Sequence, residues 1–151
     1  MFIDIDLRLS SSQALTAIGT VQSQYVVDLG ACRDIGEGTP LYVYFSINNA
    51  FVSAGAATLT TSVIGSDTLT SEQVLASPVV LGSSGLVTLA RLTADRRFAL
   101  TISPQIGDIG YRYLACQYTV ATAAFTAGTI TADIVETIAG GACYPAGTTM
   151  I

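Results

Sequence analysis

Histidine, tryptophan and lysine are absent from this sequence, and charged side chains make up only 11% of it. Without histidine the chain lacks the commonest general base and proton shuttle, so a serine triad is excluded. Without lysine it cannot form a Schiff base. All its cations are arginines, six against eleven carboxylates, for a net charge of −5. An acidic surface repels a phosphate backbone, so no nucleic-acid contact is expected. No apolar run approaches the roughly 18 residues that span a bilayer, and the start MFIDIDLRLSSS lacks the basic, then apolar, pattern of a signal peptide. The expectation is a chain made and kept in the cytosol, without membrane contact.

The cysteines are few and odd in number: Cys32, Cys116 and Cys143. No CxxC spacing and no histidine accompany them, so neither a disulfide framework nor a zinc site is expected, and the thiols read as small buried hydrophobes. No cofactor or metal is implied.

Half of the sequence is hydrophobic, and its charged fraction falls well below the roughly 25% of an average soluble protein. A surface of Thr, Ser, Ala and Gly with so little charge is poorly protected against association, so part of it is expected to be buried in an assembly. The 151 residues suffice for one core. We read residues 1–138 as a single domain and 139–151, with three glycines and Pro145, as an extended arm.

Residues 2–9 alternate, with Ile3, Ile5, Leu7 and Leu9 on one face and Asp4, Asp6 and Arg8 on the other, which predicts a half-buried strand. Residues 10–19 read as a short helical turn or a loop. Further strands are predicted at 25–29, 41–47, 57–64, around 73–75, and at 86–92, 98–102, 111–120 and 129–138. Turn signals separate them at 30–40, 65–67, 82–85, 104–110 and 126–128. Many short strands without a long 3.6-residue period predict an all-β jelly roll or two-sheet β-sandwich with very little helix.

A search for chemistry finds little. The remaining catalytic option is a pair of carboxylates, but Asp4, Asp6, Asp28, Asp34, Asp67, Asp95, Asp108 and Asp133 fall mostly in turns or on solvent faces, where capping is the better reading. Glycines at 30, 36 and 38 hint at a phosphate loop, yet no lysine follows and Thr39-Pro40 leads into a strand. Tyr42 with Tyr44, and Tyr111 with Tyr113, share a strand face; they read first as core or cross-strand pairs and second as a contact patch. No spacing supports a calcium loop. The protein is expected not to be an enzyme.

Three segments carry a resemblance: MFIDIDLRLSSSQALT, VVDLGACRDIGEGTPLYVYFSI and RYLACQYTVATAAFTAGTITADIV. In their order the chain resembles the jelly-roll cement proteins that decorate the capsids of tailed bacteriophages; residues 66–110 look less family-like. The resemblance implies a homo-oligomer, a dimer rather than a trimer, on the capsid exterior, clamping major capsid protein subunits. Contact is expected first from the loop with Arg33, Asp34, Ile35 and Glu37, next from Ile3 and Ile5 of the N-terminal strand, and then from the arm that carries Tyr144. Two other classes stay open: a head-completion or tail-associated virion protein, and a carbohydrate- or receptor-binding sandwich. The lack of tryptophan lowers the second of these.

Overall fold

A computed structural model describes residues 4–30, 41–70, 73–102, 110–136 and 138. Nine strands carry the fold: β1 (Arg8–Ala14), β2 (Gly19–Gln22), β3 (Val27–Asp28), β4 (Leu41–Val52), β5 (Thr58–Ser66), β6 (Val79–Thr88), β7 (Arg97–Ile102), β8 (Tyr113–Ala121) and β9 (Ala127–Val135). The helical content among the described residues is two 3-10 turns, Ile5–Leu7 and Leu89–Arg91. One sheet runs in the order β1-β9-β4-β7 and the other β2-β8-β5-β6, with β3 pairing β8 beyond β2. Every ladder is antiparallel. The chain is therefore a two-sheet β-sandwich with jelly-roll strand order, as its strand-and-turn spacing predicts.

Alternation builds the core. In β4, Val43, Phe45 and Ile47 point inward and are fully buried. From the facing sheet come Leu59, Val63, Leu114, Cys116, Tyr118 and Val120. Phe45 is the hub, stacked on Phe98 at 5.0 Å and edge-on to Tyr118 at 6.5 Å. A second, smaller core lies on the outer face of β5 and β8. There the excursion between β5 and β6 folds back and packs Leu75 on Ile64 and Ala115, which is why β5 is buried on both faces.

The ends of the elements depart from expectation in physical ways. Residues 4–7 are not a strand: the Asp4 carboxylate accepts from the Asp6 amide at 3.0 Å and starts the Ile5–Leu7 turn. Ile5 is consequently 73% exposed, whereas Leu9 is buried. Residues 10–14, expected in a turn or loop, are strand, because their buried polar side chains satisfy one another. The Tyr118 hydroxyl donates to Ser10 Oγ (2.8 Å), Ser10 donates to Gln13 Oε1 (2.7 Å), and Gln13 Nε2 donates to the Gln22 carbonyl (3.0 Å). Burial pushes the Tyr118 hydroxyl well above its usual pKa and so keeps it a neutral donor. Strand β2 was not expected; its residues are largely exposed and carry little pattern.

Around residues 73–75 the expected strand is reduced to one bridge, Leu69 to Leu75. The predicted turn at 82–85 lies instead inside β6, where shifts in pairing register and Gly85 at φ +65° absorb the glycines as irregularities of the strand. The strand predicted over 86–92 ends at Thr88 and gives way to the second 3-10 turn. Cys116 is a free, buried thiol, as read, and burial raises its pKa; Cys32 and Cys143 lie outside the described residues.

One inward hydroxyl is unmatched. Thr61 Oγ1 is buried without a hydrogen-bond partner, a desolvation cost of about 1–3 kcal/mol. Thr61→Val keeps the shape and removes the orphan, so it is expected to stabilise the fold by about 1 kcal/mol. A urea titration that shows a loss of stability instead would mean that the hydroxyl finds a partner in solution.

Candidate interface at the open edge of the sandwich

The two sides of the sandwich are finished differently. On one side the edges of β1 and β2 are joined by the Ser10, Gln13 and Tyr118 chain and by the Tyr25 amide donating to the Leu9 carbonyl at 3.0 Å. On the other side, among the described residues, β6 and β7 end their sheets with no ladder between them. Across its ten residues β6 carries no charge, and it exposes Val79, Val80 and Leu86, the last by 65%. Natural edge strands are usually blunted by charge, proline or brevity, so a long apolar edge is a template for pairing. Between the two edges runs an open groove of about 550 Å³, lined among others by Ser84, Leu86, Arg91, Arg96, Phe98 and Leu100. Its floor is rigid because Phe98 stacks on the core ring of Phe45.

Electrostatics single out the same place. Arg8 pairs with Asp133 at 2.8 Å. Arg112 grips Asp28 through two bonds of 2.9 Å and lies 4.8 Å over the Tyr113 ring. Those bonds, with one from the Gly30 amide, hold the Asp28 carboxyl down at about 2. Arg91, Arg96 and Arg97 make no ion pair among the described residues. Two of them, Arg91 and Arg96, line the groove in a chain whose net charge is −5.

Of the residues expected to make contact, Arg33, Asp34, Ile35, Glu37, Ile3 and Tyr144 lie outside the described residues. Ile5 lies on the opposite side from the groove, in a hollow of about 310 Å³ shared with Arg8, Ser11 and Tyr25. The tyrosine pairs are not in the main core. Tyr42 and Tyr44 are half-buried and alternate with the inward Val43 and Phe45, so they face outward from the first sheet. Tyr113 packs against the small outer core. The groove was missed because residues 86–92 read as one more strand, which hid Arg91 in a ladder. The signal available was the run Arg91, Arg96, Arg97 in a chain with only six cations.

Four of the described carboxylates have structural partners: Asp4 caps a turn, Asp28 and Asp133 hold arginines, and Asp67 accepts from the Arg112 amide. Among the described residues no group of three His, Cys, Asp or Glu side chains is placed to hold a metal ion, and no helix is long and apolar enough to cross a membrane. The chemistry the open edge offers is recognition, with backbone hydrogen bonds along a strand, apolar area, and guanidinium groups for carboxylates.

No curated protein matches the sequence. The model of one family, Bbp16, matches residues 9–134, which spans the sandwich from β1 into β9. The chain thus belongs to the Bbp16 family, a phage-associated family.

Proposed function

We propose that this protein is a structural virion component, a cement or decoration protein that binds the outside of a phage capsid and stabilises contacts between major capsid protein subunits. The observation that carries this reading is the open edge: a jelly roll of a phage-associated family that exposes a long uncharged strand beside Arg91 and Arg96, which make no ion pair among the described residues. Such a surface is suited to being covered by another protein and offers no catalytic set. The net charge of −5 favours the exterior of a shell over an interior filled with DNA. Action as a homo-oligomer, with a dimer first in expectation, would let modest contacts add through symmetry. Synthesis in the host cytoplasm precedes assembly in this reading.

The test is addition of the purified protein to shells that lack it, with bound copies counted by sedimentation and gel densitometry. Saturable binding in the hundreds of copies, on the order expected of a repeated shell lattice, together with a raised shell melting temperature, is the expected result. A dozen copies or fewer would move the protein to a head-completion or tail position. Absence of binding to any shell would overturn the reading and send attention to glycans and receptors.

A further inference from the structure

The groove between β6 and β7 allows a more specific statement, which rests on the capsid-binding reading above. We infer that it receives an extended segment of the shell protein that carries carboxylates and apolar residues in alternation, laid as an added strand along β6 between Ser84 and Thr88. Three features select that chemistry. First, β6 and β7 are both edge strands among the described residues, so over Ser84–Thr88 the groove wall presents main chain that an added extended chain can pair. Second, side chains of an added strand alternate in direction, so one set faces the core side beside Val87, Phe98 and Leu100, while the exposed Arg91 and Arg96, which line the same groove, are at hand for carboxylates of the other. Third, those two arginines have no ion-pair partner among the described residues, and guanidinium groups match carboxylates by charge and by geometry.

Other occupants fit less well. Self-pairing of two β6 edges would bring the arginines of both copies to one seam, where like charges repel. A nucleic acid would meet favourable charge only in the groove and repulsion elsewhere, given the net charge of −5. A short acidic and apolar strand confines its charge to where the arginines are. The groove floor, fixed by the Phe98–Phe45 stack at 5.0 Å, is already shaped for such a strand.

The experiment compares the wild-type protein, Arg91→Gln/Arg96→Gln and Arg91→Glu/Arg96→Glu for binding to shells that lack the protein, at low and high salt. Both side chains are exposed, so both variants are expected to fold, checked by melting temperature and by an unchanged oligomeric state in sedimentation. Charge reversal is expected to weaken shell binding roughly tenfold or more and to flatten its salt dependence, with the Gln variant between. In the wild-type complex, amide hydrogen exchange should slow over residues 84–88 relative to the free protein. Equal shell binding by all three proteins, or protection elsewhere only, would overturn the groove assignment and leave the cement reading standing. A changed oligomeric state with unchanged shell binding would assign the groove to a second copy instead. Failure of the wild-type protein to bind shells would overturn both.

Discussion

Gly128→Ala is expected to cost about 3–5 kcal/mol, a large fraction of the roughly 5–15 kcal/mol that holds a domain of this size together. Two independent effects meet at this position. Gly128 adopts φ +133°, a conformation that L side chains rarely take. A Cβ placed there would lie 2.2 Å from Phe51 Cδ1 and 2.5 Å from Cγ. The ring has little room to retreat, since Phe51 is buried and packs against Phe125 at 4.8 Å. The pairing of β4 with β9 shows why glycine is required. Its register skips from Asn49–Thr129 to Val52–Ala127, so Ala50 and Phe51 oppose the single residue Gly128. Urea denaturation measures the loss directly. Because part of the cost is the clash, Phe51→Leu should be less damaging in the Gly128→Ala background than alone, with a coupling of about 0.5–3 kcal/mol. A loss below about 1 kcal/mol for Gly128→Ala, or strict additivity of the pair, would contradict this packing.

How much of this is legible before folding depends on whether an element is determined by its own pattern. Strands β4, β5, β7, β8 and β9 lie close to where alternation predicts them, because each buries a regular row such as Val43, Phe45 and Ile47. Strand β1 is obscured because two of its inward residues, Ser10 and Gln13, are polar and become tolerable in the core only through Tyr118 and the Gln22 carbonyl, partners distant in sequence. Strand β6 is obscured because glycines that usually mark a turn serve here as irregularities in a strand. Many turn-separated strands point to a two-sheet sandwich, and of the arrangements they allow the chain takes the jelly-roll order. The open edge is a different kind of property. Whether β6 is central or peripheral depends on the whole strand order, and whether Arg91 and Arg96 are paired depends on where the carboxylates end up. Asp95 is adjacent to Arg96 in sequence, yet it forms no ion pair among the described residues. The loop of Arg33 to Glu37, by contrast, was singled out by resemblance, and its residues lie outside the described ones.

Unequal effects are expected from the two halves of the Arg8–Asp133 pair, which clamps β1 to β9. The Asp133 side chain is 4% exposed and that of Arg8 is 28% exposed. Removing the arginine with Arg8→Met strands a carboxylate almost without water, at a cost of about 3–5 kcal/mol. Removing the acid with Asp133→Leu leaves a guanidinium that can turn further into solvent, so the loss should be smaller, about 1–3 kcal/mol. The pair spends much of its Coulombic attraction on desolvation, so the double variant Arg8→Met/Asp133→Leu, which leaves no charge behind, should be more stable than Arg8→Met and close to wild type. Chemical denaturation of the four proteins decides the matter. If the double variant loses as much as the two singles summed, the two side chains do not act as a pair and the expected ordering is wrong. If the two single losses are equal, the burial difference between the partners has no energetic weight. The expected ordering, wild type near the double variant, then Asp133→Leu, then Arg8→Met, follows only from a pair whose arginine keeps a route to water. This pair and the groove arginines thus differ in setting: Asp133 is covered and its charge must be matched by Arg8, whereas Arg91 and Arg96 are exposed and make no ion pair among the described residues.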